Sequence, residues 1–278
     1  MVGNAAVWFI TGASKGIGLE TVRAALETGA RVVCTSRDPA QLRGQVDAGP
    51  DVLQAVQMSI TDPAQIADAV AGAVDAFGRI DVLVNNAGYS VLGAVEDFSR
   101  ADVRDNFDVN VFGLLEVTQQ VLPHMRRQKA GRVINLASIS ANVTGPATGL
   151  YSATKAAVLM LTEALAEEVA PLGVYATAVC PGGVRTDFLD SRSRRDAAYR
   201  IRDYQNVEAA RNEYTRLNHR QGGDPRLVAE AFVSLSQMEP PPRRIYLGAD
   251  ALRAVTHKLD AVSADIERYR QLSLSIND

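Results

Sequence analysis

Thr11-Gly12-Ala13-Ser14-Lys15-Gly16-Ile17-Gly18 stands between a short apolar run, residues 6–10, and a helix-like segment, residues 19–28. Its reading decides the fold. Glycines at this place allow a tight turn and close approach of a ligand to the backbone. The helix that follows offers unpaired N–H groups and the positive end of its dipole to a phosphate. The same turn elsewhere would say little, but between a strand and a helix it points to a nucleotide-binding βα unit. A plain βα connection is the alternative.

Outward from this loop the alternation repeats. Residues 31–35, 82–85, 132–136 and 175–179 read as strands, most of them apolar throughout. Unbroken apolarity means burial on both faces, as in parallel strands covered by helices. Residues 64–77, 103–128 and 152–170 read as the helices between them. The pattern predicts right-handed βαβ crossovers and an α/β fold, a Rossmann-type doubly wound parallel sheet. Residues 244–247 are expected to extend the sheet edge. With no low-complexity linker, residues 1–278 are expected to form a single domain. Residues 187–223 are polar and carry eight arginines, from Arg192 to Arg220, interleaved with acids. They are expected to lie over the cleft as a lid, either as solvated helices or as an anion-binding cover. From residue 249 to 278 a helical extension is expected, with Leu252, Val255, Leu259, Val262, Ile266 and Tyr269 at steps of three and four.

Composition narrows the function classes. The 278 residues are 47% hydrophobic and 22% charged with a net charge of −3, which argues against a nucleic-acid footprint. The apolar runs are too short for a membrane span. Cys34 and Cys180 sit in apolar stretches, which suggests free buried thiols, and the first residues show no secretory pattern. A cytoplasmic location is therefore expected. His124, His219 and His257 have no metal-ligand spacing, so no metal site is expected.

Tyr151 and Lys155 are four apart on an expected helix and share a face. A free phenol titrates near pH ~10, and a cation within about 4–6 Å can lower that by roughly 1–3 units. The pair is a candidate acid/base device. Ser138 falls where residues 132–136 run out, at the carboxyl edge where open α/β sheets bind ligands, and can polarise a carbonyl there. Ser140 is its near rival. At the end of the second strand an acid would accept from a ribose 2′-OH. Ser36 and Arg37 stand there instead, with Lys15 close by in the loop. The alternative is that Asp38 turns inward.

Thr-Gly-x-x-x-Gly-x-Gly at residues 11–18 does not stand alone. Asn85-Asn86-Ala87-Gly88, Asn110, Ser138, Tyr151-Ser152-Ala153-Thr154-Lys155 and Pro181-Gly182 with Thr186 follow in order. In these motifs the chain resembles the short-chain dehydrogenase/reductase family over roughly residues 5 to 250. The resemblance implies an oxidoreductase that interconverts a carbonyl and an alcohol by hydride transfer, with NADP as cofactor from the Ser36/Arg37 combination. It implies a catalytic set of Asn110, Ser138, Tyr151 and Lys155, in which Asn110 holds a water linking Lys155 to solvent. The implied cofactor contacts are Gly12, Ser14, Lys15, Gly16, Ile17, Gly18, Ser36, Arg37, Asn86, Ala87, Gly88, Tyr151, Lys155, Pro181, Gly182, Val184 and Thr186. One departure is Met58-Ser59-Ile60-Thr61-Asp62, where Ser59 stands in place of the acid that family members direct at adenine. Tyr89, Val91, Leu92, Ile139, Val143, Leu150, Val184, Phe188 and Leu189 are expected to line the cleft, which suits a largely apolar small-molecule substrate. A homodimer through the helices at 103–128 and 152–170 is expected, with a homotetramer or a monomer as the alternatives. The other readings are an NAD(P)-binding epimerase or dehydratase, and a non-catalytic redox-sensing protein, which would be expected to lack the tyrosine or lysine.

Overall fold

The computed structural model describes residues 5–191 and 193–276; residues 1–4, Arg192 of the arginine-rich segment and residues 277–278 lie outside the described part. The strands are β1 (Val7–Thr11), β2 (Arg31–Ser36), β3 (Leu53–Gln57), β4 (Val82–Asn85), β5 (Ser90–Leu92), β6 (Gly131–Leu136), β7 (Val174–Pro181), β8 (Arg194–Asp196) and β9 (Arg244–Leu247). The helices are α1 (Gly16–Glu27), α2 (Pro39–Arg43), α3 (Pro63–Phe77), α4 (Arg100–Phe107), α5 (Gly113–Gln128), α6 (Gly149–Val169), α7 (Gln205–Leu217), α8 (Pro225–Gln237), α9 (Ala249–Arg268) and α10 (Arg270–Leu274).

Seven strands form one parallel sheet in the order β3-β2-β1-β4-β6-β7-β9. Period-two alternation sends successive side chains to opposite faces. Trp8, Ile10, Val32, Cys34, Val82 and Val84 join a core with residues of α1 and α8, including Val22 and Phe232. Phe9, Val33, Leu83 and Val133 join the opposite core with α3, α5 and α6, through Ile66, Val121, Met125 and Val169. This is a Rossmann-type α/β sheet with helices on both faces. The order reverses between β1 and β4, so the loops after these two strands diverge and leave a crevice. As expected, β9 takes one edge of the sheet.

Three readings from the sequence need correction. β3 was not among the expected strands, because Leu53-Gln54-Ala55-Val56-Gln57 mixes polar and apolar residues and lies at the other sheet edge, only partly covered. The single helix expected over residues 103–128 is interrupted between α4 and α5 by a π-helical turn at Asp108–Phe112. That extra residue per turn brings Asn110 to the interior, where it is 1% exposed. The arginine-rich segment is more than solvated helix. Its β8 pairs in parallel with β5, and Val207, Ala210 and Tyr214 of α7 pack on Leu92, Ala94 and Ala147. Arg211 is buried against Asp97, while Arg216 pairs at the surface with Glu213.

The last helices carry the expected stripe, but only Ala251 and Val255 are buried. Leu252, Leu259, Val262, Ile266 and Tyr269 stay exposed within one chain. Among the described residues no helix is long and apolar enough to cross a membrane.

Candidate active site

The glycine loop and the β4 loop are stitched together across the crevice. The Thr11 hydroxyl accepts from the Asn86 and Ala87 amides at 3.0 and 3.2 Å. Asn86 Nδ2 returns two bonds, to the Thr11 and Gly12 carbonyls at 3.0 and 2.9 Å. Gly12 has φ +66°, and a Cβ there would lie 2.8 Å from Ala87 Cα. Only glycine permits both the conformation and the approach. At Gly18 a Cβ would come within 2.5 Å of Asn86 Nδ2 and the Gly12 carbonyl. Gly18 therefore serves the packing of α1 beneath the loop.

Above the loop opens a cavity of about 730 Å³. Of the expected cofactor residues, Gly12, Ser14, Lys15, Gly16, Ile17, Ser36, Arg37, Asn86, Ala87, Gly88, Tyr151, Lys155, Pro181, Gly182, Val184 and Thr186 line it. Gly18 does not, since it lies under the loop. The cavity runs from the ends of β2 and β3 across the sheet to the end of β7.

Its residues fit a dinucleotide. Thr35 Oγ1 and Ser36 Oγ are buried side-chain oxygens without a hydrogen-bond partner, and both residues face this cavity. Buried polar groups are normally satisfied, so two orphans at the second strand end suit polar atoms of a ligand. Asp38 does not turn inward. Its carboxylate accepts from Ala40 N at 3.1 Å and caps α2. Arg37 is exposed beside Ser36 and forms no salt bridge among the described residues. Asp62 cannot replace the acid missing at Ser59, because it caps α3 by accepting from Ala64 N and Gln65 N.

At the other end stand Ser138, Tyr151 and Lys155. Ser138 ends the strip after β6 and caps a single 3₁₀ turn, with Ser140 N donating to its Oγ at 3.1 Å. Tyr151 and Lys155 rise one turn apart from the start of α6, with Lys155 Nζ 5.9 Å from the Tyr151 ring centroid. The expected lowering of the phenol pKa by the lysine is not what this arrangement gives. Burial pushes Tyr151 above the ordinary phenol range, offset in part by Ser138. Lys155 is directed elsewhere, donating to the Leu136 carbonyl at 2.6 Å. Burial draws Lys155 itself down to about 8.

Asn110 lies behind this group and does not line the cavity. Its Oδ1 accepts from Tyr89 N at 3.0 Å, and its Nδ2 donates to Tyr89 O and Thr154 Oγ1 at 2.9 and 3.0 Å. The side chain clamps the backbone after β4 to α6.

The substrate end is walled by Tyr89, Ile139, Val184, Phe188 and Leu189 as expected. Val91, Leu92 and Leu150 are buried in the protein instead, and Val143 does not line the cavity. Sequence reasoning missed Ser193, Arg195, Tyr214 and Leu217, which the lid segment contributes. They belong to no motif; the pairing of β8 with β5 brings in Ser193 and Arg195, and the docking of α7 brings in Tyr214 and Leu217. The fold also gathers Asp187, Asp190 and His219, whose ligand-type atoms lie within 4.8 Å of one another. Sequence spacing could not show this, because Asp190 and His219 meet only when the lid folds. Asp190 is already engaged by Asn218 and by His219 at 3.2 Å.

Fold and site together define an oxidoreductase scaffold of the dinucleotide-binding α/β class. The chain belongs to the short chain dehydrogenase family, whose description matches residues 6–197. Oxidoreductase BOA17 of Botryotinia fuckeliana is 34% identical over 97% of this chain and 98% of its own. The 3-ketodihydrosphingosine reductase of Bacteroides thetaiotaomicron is 33% identical over 86% of each. Among solved structures, a short-chain dehydrogenase from Streptomyces avermitilis superposes with a TM-score of 0.91, 34% identity and full coverage of both chains. One from Burkholderia phymatum in complex with NAD gives 0.81 and 25% identity, covering 94% of this chain and 95% of its own. ElxO with NADP bound gives 0.75 and 25% identity, covering 90% and 99%. A nicotinamide cofactor is thus common ground, and both forms occur among the neighbours.

Proposed function

We propose that the protein is an NADP-dependent oxidoreductase that interconverts a carbonyl and an alcohol on a largely apolar small molecule. The observation that carries this reading is the meeting of Ser138, Tyr151 and Lys155 in the same cavity as the glycine loop. When bound, the nicotinamide supplies or takes the hydride at the substrate carbon. Tyr151 exchanges the proton with the substrate oxygen. Its raised pKa keeps it protonated at neutrality, as a proton donor to a carbonyl must be. Ser138 donates to the same oxygen and orients it. Lys155 carries positive charge into this pocket below pH about 8 and is the group to hold the nicotinamide ribose. Asn110 fixes the backbone between the cofactor loop and α6.

Ser14, Lys15, Gly16 and Ile17 are assigned to the phosphates, with Gly12 and Gly18 shaping the loop. Asn86, Ala87 and Gly88 are assigned to the adenosine ribose side, and Pro181, Gly182, Val184 and Thr186 to the nicotinamide. Ser36 and Arg37 select the 2′-phosphate. The chain acts as one unit, with residues 187–223 as its lid, in the cytoplasm and as a homodimer. The apolar lining and the 3-keto reductase among the relatives support the substrate class.

The test is NADPH consumption with a panel of aldehydes, ketones and quinones. Tyr151→Phe should lower kcat at least about a hundredfold while NADPH affinity stays near wild type, because only the proton-exchanging hydroxyl is lost. Hydride transfer at the wild-type rate in that variant would disprove the assignment.

A further inference from the structure

Tyr214 lies in no motif, yet the fold sets it beside the catalytic phenol. Its ring packs against the small cluster of Leu92, Ala94, Ala147 and Val207. Its other side faces the cavity that holds Tyr151. Thr148, the residue that precedes α6 and stands three before Tyr151, is close enough to influence its phenol. The two phenols are near enough for charge on Tyr214 to disfavour charge on Tyr151.

The placement is held by a latch. Arg211 stands three residues before Tyr214 on α7 and so shares its face. It is 6% exposed and donates to the Leu92 carbonyl at 2.8 Å, with Asp97 at 3.7 Å. Asp97, 1% exposed, also accepts from Ala94 N and Ile201 N, both at 2.9 Å. A buried ion pair is a poor source of net stability, but it fixes one arrangement, because a misplaced helix leaves an uncompensated buried charge. Here the arrangement it fixes is the position of Tyr214.

At the substrate end Tyr214 is joined by apolar Ile139, Phe188, Leu189 and Leu217, with Ser193 and Arg195 as polar members. In such pockets a few placed polar groups set orientation and specificity. We propose that Tyr214 is a specificity-determining residue whose hydroxyl donates to a second substrate oxygen, so that the favoured substrates are carbonyl compounds carrying a neighbouring keto or hydroxyl group. The inference rests on the carbonyl-reducing reading above and deepens it. The phenol is only half-buried and stays open to water when that second oxygen is lacking, so the discrimination is moderate. It is about tenfold, the scale of one well-placed hydrogen bond, rather than the much larger penalty of an unpaired donor.

The experiment compares kcat/KM with NADPH for medium-chain methyl ketones and the matching vicinal diketones. It uses wild type, Tyr214→Phe and Tyr151→Phe, with NADPH affinity by fluorescence confirming that each variant is folded. Diketones are intrinsically more reactive, so the quantity read is the ratio of the two preferences. Tyr214→Phe should lower the diketone preference about tenfold, the loss falling mainly on the diketones. An unchanged preference in Tyr214→Phe, with Tyr151→Phe inactive, overturns the role of Tyr214 alone. Wild-type turnover of no member of the panel, or full activity in Tyr151→Phe, overturns the underlying reading and this inference with it.

Discussion

In the proposed reading, the exposed guanidinium of Arg37 and the unpartnered hydroxyl of buried Ser36 meet the 2′-phosphate. Guanidinium matches phosphate with paired, charge-assisted hydrogen bonds worth on the order of 1.5–3 kcal/mol, which is about ten- to a hundredfold in affinity. Solvent screening at this open end draws the effect to the lower part of that range. Arg37→Asp replaces the attraction with repulsion and offers an acceptor to a free 2′-OH, so the variant should prefer NADH, chiefly through a higher KM for NADPH. Paired kcat/KM values for the two cofactors decide this, and a preference unmoved by the substitution would show that Arg37 plays no part. Lys155 gives the second test at this scale. Its pKa near 8 means that the cation is present below that pH and lost above it. Reductive kcat/KM should therefore fall as pH rises through about 8, and Lys155→Arg, which stays charged, should remove that limb. A wild-type profile that stays level well above pH 8 would contradict the role of the charge. The sign for stability is opposite. The unfolded chain binds more protons at this lysine between about 8 and the ordinary 10.5, so its contribution to stability rises with pH across that window.

The π-helical turn and α7 show how elements serve the site. Widening the helix at Asp108–Phe112 lets Asn110 turn inward, where it makes three hydrogen bonds to the Tyr89 backbone and Thr154. Asn110→Ala leaves the Tyr89 amide and carbonyl without these partners and should cost about 1–3 kcal/mol of unfolding free energy. Urea denaturation reads the loss, and turnover should fall with it as the loop after β4 slackens. Arg211→Met acts further from the chemistry. It breaks the latch to Leu92 and Asp97, so KM for the carbonyl substrate should rise several-fold while NADPH affinity is unchanged. Equal losses in both affinities would mean that α7 supports the whole cavity rather than its substrate end.

At the scale of the molecule, Phe112, Met160 and Leu161 are 56, 53 and 39% exposed along the α5 and α6 side. In the proposed homodimer a second copy covers these groups in a two-fold arrangement. Light scattering should give the mass of two chains for wild type. Phe112→Asp with Met160→Asp should give one, because burying those carboxylates across the interface is unfavourable. A wild-type mass of one chain would rule the dimer out.

The sequence by itself determined the alternation of strand and helix, the nucleotide loop and the three residues Ser138, Tyr151 and Lys155. These are local matters. Apolar runs declare strands buried on both faces, glycines declare a turn that side chains would block, and a four-residue step puts two groups on one helix face. Tertiary structure decided the rest. β3 mixes polar and apolar residues and β8 is charged, and each is fixed as a strand by the neighbour it pairs with. The sign of the Tyr151 pKa shift turned on burial, which spacing does not reveal. Tyr214 and Arg211 are more than fifty residues from any motif of the catalytic group in sequence, and they join it only through the packing of α7 on Leu92. Residues whose role depends on neighbours far along the chain leave no local pattern, because what selects them is the shape and charge of a surface that exists only once the chain has folded.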